Sequence, residues 1–335
     1  MSSNSALAVA RDLPRMIFSR PGTGILAFLI ILCIAMAPTS KSSVFFTETN
    51  WFNIANQSVF VAILAVAMTI VLISGGIDLS VGAVVGLTGG VVAWLMAHGT
   101  PLAVAFIAGL ATGAILGTIN GLVITRLGVP DFIATLALLS VARGLLFVWT
   151  DGIPFIDYMT DTYRTIGGLE KLFWQITVPI LIALGVAFAA AALLRKTRQG
   201  RHIKATGSNT DAARLSGVNV TRVKVAVYAG SGFLAALTGI LLAGRLTTVQ
   251  PLMGAGLELE AIAAAVMGGA ALTGGRGSIL GAMLGAITLV VIQNIINIFG
   301  IEPAWETIVV GAIILMAVSI DRLTTTVFRQ QEVRV

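Results

Sequence analysis

Apolar residues along this chain do not alternate with polar ones; they gather into blocks of about 20 residues, the length a helix needs to cross a bilayer core of ~30 Å. The first block covers 22–38 and the second 53–73. A third continues from the polar stretch 74–82 to Ala97, a fourth covers 101–124 and a fifth 131–150. After a longer loop, 151–175, a sixth block runs from 176 to 194. A polar island at 195–224 separates it from a seventh at 225–243. An eighth covers 257–272, a ninth 279–299 and a tenth 304–320. The pattern predicts an all-α membrane protein of about ten transmembrane helices. Residues 1–21 form an N-terminal segment, 22–320 the membrane domain with its island, and 321–335 a tail.

Composition agrees. Of 335 residues 57% are hydrophobic and 11% are charged, against about 25% charged in a soluble domain. The segment 1–21, with Arg11, Arg15 and Arg20, followed by an apolar block, imitates a secretory signal. Pro38 stands directly after the small residues Ala35 and Ala37, which argues for an uncleaved first helix.

Charge then orients the chain. The island carries eight basic residues and one acid, Asp211. With ten crossings the two termini, Arg126, the island and Arg276 share one side, and only Lys41, Arg164, Lys171 and Arg245 fall on the other. By the positive-inside rule the termini and the island are cytosolic. The net charge of +6 sits in specific loops rather than on one soluble face, so it is no footprint for nucleic acid. A single cysteine, Cys33, and two separated histidines, His98 and His202, provide neither a disulfide framework nor a metal centre.

Glycines recur every four residues at Gly109, Gly113, Gly117 and Gly121, at Gly82, Gly86 and Gly90, and at Gly277, Gly281 and Gly285. Just over one turn separates neighbours in each set, so each forms a smooth stripe against which another helix approaches closely. A short likeness between GGIDLS (75–80) and GGAALT (268–273) hints at internal duplication. Several polar groups fall at membrane depth. Asp78 reads as a helix N-cap assisted by Ser80, with substrate binding the alternative. The stretch around it, 74–82, reads either as a loop or as a break within the bilayer. Arg143, about 12 Å from the outer end of its span, either snorkels to the headgroups or faces a polar path. Asn120, Gln293, Asn294 and Asn297 are helix-bridging amides or, since sugar sites use amides, part of a translocation path. Glu258 and Glu260 open the eighth span at the outer surface, as favourable charge at a helix N-terminus or as contacts for an external binding protein.

No phosphate-cradling G-x-x-x-x-G-K-[ST] loop occurs. No chain of intramembrane carboxylates accompanies Asp78, and no nucleophile–base or metal set is evident, so no catalytic residue is assigned. A separate chain therefore supplies the power, and the island is the sizeable cytosolic feature on which it can dock.

Three runs, GRHIKATGSNTDAARLSGVNVTRVK, GFLAALTGILLAGRLTTVQP and GAGLELEAIAAAVMGGAALTGGRGSILG, with ISGGIDLSVG and GVPDFIATLALLSVARGL before them, resemble the permease subunits of monosaccharide ABC importers of the ribose, xylose and galactose type. The likeness spans about residues 50–321. The wording ARLSGVNV and ELEAIAA is most similar to the ribose branch. The resemblance implies a ten-helix permease bundle in a bacterial plasma (inner) membrane, importing a pentose such as ribose. It further implies a second permease copy or a paralogue, a cytosolic ATPase (often a twin cassette) that binds the ATP and Mg, and an extracytoplasmic sugar-binding protein. No cofactor is implied in this chain. In such importers the cytosolic loop after the sixth span couples to the ATPase, and the pattern Gly207, Asn209, Ala212, Ala213, Gly217 matches that loop. As a short helix it has Asn209 for a cap, Asp211 in its first turn, Arg214 toward its end and Gly217 as its stop. The flanking Arg195, Lys196 and Arg198 suit anionic lipid headgroups. The rival readings are an ion-gradient-coupled secondary carrier, an intramembrane enzyme and a passive channel.

Overall fold

The computed structural model describes residues 22–156, 158–168, 170–172, 176–302 and 304–316. The expected terminal segments 1–21 and 321–335, and the end of the tenth block, lie outside the described residues. Among the described residues the chain is helical, with no named strand; an antiparallel bridge joins Phe155 and Val249.

In chain order the helices are α1 (Thr23–Met36), α2 (Ser42–Phe45), α3 (Glu48–Ile73), α4 (Val81–Ala97), α5 (Leu102–Arg126), α6 (Asp131–Thr150) and α7 (Asp161–Ile166). There follow α8 (Val178–Lys196), α9 (Arg198–Ser208), α10 (Thr210–Leu215), α11 (Val220–Leu246), α12 (Leu257–Met267), α13 (Ile279–Ile298) and α14 (Ala304–Met316). Six of them, α3, α5, α6, α8, α11 and α13, are long and apolar enough to cross a membrane, and α1, α4 and α14 are shorter apolar helices.

Burial sorts these helices into core and rim. The apolar window of α3 is 83% buried and that of α5 22%, so α3 is an interior post while α5 belongs to the rim. Rim helices α5, α6 and α8 turn Ile107, Ile115, Val148 and Phe188 outward, as lipid-facing surfaces require. Around α3 stand α8, α11, α12 and α13, and α11 in turn joins α3 to α4 and α5.

The glycine stripes account for how closely the helices approach. A Cβ on Gly113 of α5 would overlap the carbonyl of Gly232 on α11, and one on Gly117 the carbonyl of Tyr228. Gly232 meets the carbonyl of Gly113 in return. Without an aqueous hydrophobic drive between helices in lipid, such backbone-to-backbone contact is what holds them together. In α13, Gly281 and Gly285 meet Gly268 and Ala264 in the same way. The stripe on α4 differs: Gly82 and Gly86 face the irregular residues 253–254 and the side chain of Glu258 rather than a neighbouring helix wall.

That difference exposes a departure from the expected pattern. The eighth block is not one helix over 257–272. Only α12 is helical, and it ends where Gly269, Gly274 and Gly275 take positive φ, a backbone region that costs a residue with a Cβ. Ahead of α12, Met253 and Gly254 lie against the first turns of α4. Residues 74–80 run from the end of α3 back into the interior, and Val81 opens α4 with no exposed surface. The irregular residues ahead of α4 and α12 therefore lie near each other, and α4 begins deep in the protein. This resolves the stretch 74–82 as a buried break rather than an external loop.

Candidate functional site

Four places in this frame carry polar chemistry: the island face, two buried networks and a cavity on the opposite side.

The island is folded throughout. Thr197 caps α9, accepting from the Gly200 N–H (3.1 Å). Ile203 and Thr206 of α9 are buried against the bundle. Gly207 lies at a backbone junction: a Cβ there would overlap the carbonyl of Ile73 at the end of α3 and crowd the Gly275 N–H. That N–H itself donates to Ile73 O (2.9 Å). Asn209 caps α10, its Oδ1 accepting from the Ala212 N–H (2.9 Å). Ala213 faces inward, whereas Asp211, Ala212, Arg214, Ser216 and Gly217 face outward. Leu215 is 90% exposed. Gly217, at φ 81°, ends the turn as its N–H reaches Arg214 O (2.9 Å). Thus Gly207 and Ala213 seat the segment on the bundle, and Ala212, Leu215 and Gly217 lie on its free face. The helix α11 begins at Val220, earlier than the expected 225, so Arg222 and Lys224 belong to it.

Next to this face the break at 74–80 is pinned by two networks. Asp78, 1% exposed, accepts at Oδ1 from the Ser80 N–H (3.0 Å) and hydroxyl (2.6 Å), and at Oδ2 from the Ser231 hydroxyl (2.8 Å). Asn120 Nδ2 donates to Ser80 Oγ (3.0 Å). The N-cap position of α4 is Ser80, without a side-chain bond of its own; Asp78 acts two residues earlier, joining α4 to α5 and α11. In the second network Lys224 Nζ pairs with Asp131 (3.1 Å). The Tyr228 hydroxyl donates to Asp131 Oδ2 (2.9 Å) and lies 3.3 Å from Ile77 O. Asp131, Lys224, Tyr228 and Ser231 were not expected at a polar centre. Each looks ordinary in its own helix, and only the packing of α6 and α11 against residues 74–80 brings them together.

The Arg143 guanidinium lies 3.6 Å from Glu258. Of the two acids that open α12, Glu258 departs from the expected place at the outer surface, while Glu260 is half-buried. Glu258 is buried beside Gly82, which leaves it no surface to present to an external protein. There its charge stands at the opening turn of α4, the favourable end of that helix.

Glu260 lines a cavity of about 490 Å³ with Asn53, Gln57, Arg245, Gln293 and Glu306, among the apolar walls Phe60, Val61, Leu242, Leu246 and Leu257. Gln293 Nε2 donates to Glu260 Oε1 (3.2 Å), and Asn297 Nδ2 to Glu306 Oε1 (3.1 Å). Asn294 instead exchanges amide bonds with Asn50 (2.8 and 3.1 Å), tying α13 to α3. Among the described residues, no group of three or more His, Cys, Asp or Glu side chains forms a metal-ligand set.

Comparison with known proteins places this geometry. The family model described as "Branched-chain amino acid transport system / permease component" matches residues 50–318. The ribose import permease protein RbsC of Escherichia coli K12 is 40% identical over 300 residues, covering 89% of this chain and 92% of the relative. Its Bacillus subtilis counterpart is 39% identical over 294 residues, 88% and 90% of the two chains. The fructose import permease protein FrcC of Rhizobium meliloti is 32% identical over 324 residues, 93% and 88%. No solved structure matches significantly. With a match over most of its length, and a bundle of membrane-length helices around interrupted ones, the chain belongs to the transport-system permease-component family.

Proposed function

We propose that this chain is the membrane-spanning permease subunit of an ATP-driven (ABC) importer for a monosaccharide, a pentose such as ribose, in a bacterial inner membrane. The observation that carries this reading is the near full-length likeness, at 40% identity, to permeases named for ribose import. The family description names branched-chain amino acids, but relatives that align over about nine-tenths of the chain include permeases named for ribose and fructose.

In this reading the chain crosses ten times, with α4 and α12 completing crossings that begin as irregular backbone, and with both termini and the island in the cytosol. It performs no chemistry. A separate cytosolic ATPase, a twin cassette or two single ones, binds ATP and Mg. It docks on the free face of α10, where Ala212, Leu215 and Gly217 present a slim surface with one apolar knob. Gly207 seats that segment on the end of α3, and Asn209 caps α10. Displacement of α9 and α10 thereby reaches the Asp78 network, which fixes where α4 begins. A second copy of the chain, or a paralogue, completes the path, a sugar-binding protein delivers from outside, and lipid headgroups engage the basic flank.

The test is labelled ribose uptake by cells carrying the full set of subunits, with the ion gradients collapsed and ATP intact. Uptake is expected to persist, and to stop when ATP is depleted. Uptake that follows the gradient, or that survives without ATP, identifies a secondary carrier or a channel instead.

A further inference from the structure

The ion pair between α6 and α12 is incomplete. Arg143 stands about 18 Å along α6 from its first residue and about 10 Å short of its last, and Glu258 lies in the first turn of α12. Arg143 Nη2 is 3.6 Å from Glu258 Oε1, beyond the length of an N–H···O bond. Arg143 Nη2 and Glu258 Oε2 are both buried, and neither has a hydrogen-bond partner among the described residues. The absence of a side chain at Gly82 admits the carboxylate, since a Cβ there would overlap Glu258 Oε2. Burial leaves these two atoms no water to bond, and a charged group is the costliest kind of polar group to leave unmet. One atom is a donor and the other an acceptor, so a single hydroxyl, which is both, completes the pair. One charge of each sign favours a neutral hydroxyl over an ion. Side-chain exposure is 29% for Arg143 and 10% for Glu258, so the open side of the pair is the arginine's.

We infer that Arg143 and Glu258 are a contact point for the transported sugar, at which one of its hydroxyls donates to Glu258 Oε2 and accepts from Arg143 Nη2. The two atoms are sealed in the present structure, so the hydroxyl enters as α6 and α12 part, a movement of the kind a transport cycle supplies. A monosaccharide displays several hydroxyls and no charge. A site built to bond one of them rejects an analogue that lacks it, because the buried charges are then left unpaired. The inference rests on the importer reading for its substrate class and adds two residues that read the substrate.

The test is a cycle between residue and substrate, run on the complete transporter in proteoliposomes. Initial uptake is measured for whichever of D-ribose, D-xylose, D-galactose and D-fructose the wild type imports, and for analogues of that sugar that each lack one hydroxyl. Wild type, Arg143→Gln and Glu258→Gln are compared, with every sugar at a concentration that saturates the binding protein. That protein is the same throughout, so its own preference cancels from the comparison. In wild type, loss of the contacted hydroxyl is expected to lower uptake about ten- to a hundredfold, the worth of a hydrogen bond to a charged group. In either variant the same loss is expected to cost less than about threefold, because the contact is already gone. A role in folding alone, or a bridging water in place of the sugar, lowers a variant's uptake of every analogue by one common factor, and that result overturns the contact. Complete loss of uptake by both variants and by Arg143→Lys, whether or not the protein reaches the membrane, overturns it too, since one hydroxyl contact does not account for so much. Coupling between residue and hydroxyl in a transporter whose uptake ignores ATP leaves the contact standing and removes the importer reading. Uptake of none of these sugars removes both.

Discussion

Asp78 shows what a single intramembrane acid does here. Three donors from Ser80 and Ser231 surround it, and Asn120 supports Ser80 from α5. Removing the carboxylate leaves buried hydroxyls without their acceptor, so Asp78→Ala is expected to cost about 2–3 kcal/mol. Thermal unfolding of the solubilised protein checks this, and Asp78→Asn, which keeps one carbonyl oxygen, is expected to unfold closer to wild type. An Asp78→Ala protein as stable as wild type removes the lock from the account. Gly207 acts by what it lacks. Its Cβ would enter the space of the Ile73 carbonyl, and backbone at a helix end has little room to yield, so Gly207→Ala is expected to cost about 1–3 kcal/mol by overpacking. Ribose uptake is expected to fall with it, and unchanged uptake and stability together show that the junction is loose. Both residues stand out in sequence, Asp78 as an acid in an apolar run and Gly207 through its motif. Their partners Ser231 and Ile73 do not, because serine and isoleucine are ordinary in membrane helices.

At the level of elements, the free face of α10 and the broken start of α12 decide what the helices do. Leu215 touches almost nothing in its own chain, so Leu215→Glu is expected to leave folding and membrane level unchanged. If α10 is the docking face, the same substitution lowers ATP-driven uptake and coupled ATPase activity by about tenfold or more, as loss of an apolar anchor at an interface does. Normal coupling in that variant moves the docking site elsewhere. For α12, the pair Arg143–Glu258 is half-sheltered, with solvent reaching the arginine. Glu258→Ala is accordingly expected to cost about 1–2 kcal/mol, below the value for a fully buried pair. Arg143→Ala added to it is expected to cost almost nothing further, and full additivity in that double-mutant cycle shows that the two do not interact. Hydrophobic periodicity foresaw helices at α3, α5, α6, α8, α11 and α13 because each buries or presents apolar surface along its whole length. It merged α12 with the segment after it, since Ala270, Ala271 and Leu272 are as apolar as the helix they follow, and the break depends on glycines whose φ only the packing sets.

For the whole molecule, the uneven distribution of basic residues predicts a cytosolic island. Ser216→Cys in a Cys33→Ser background is expected to resist an impermeant thiol reagent in intact cells and to react once the membrane is opened. Thr100→Cys, on the other side, is expected to react in intact cells. The reverse pattern inverts the bundle. The sequence by itself determined the class, the order of apolar segments and the capped helix within the island. These follow from local quantities, namely block length, charge count and capping residues, which act through the membrane rather than through distant contacts. Only the tertiary structure decided that residues 74–80 and 253–254 turn inward, that Glu258 is buried against α4, and that Asn53, Gln57, Glu260 and Gln293 surround one cavity. The physical reason is helix rotation. In lipid almost every face of an apolar helix is tolerable by composition, so which face turns inward is settled by close packing at glycines from far apart in the chain.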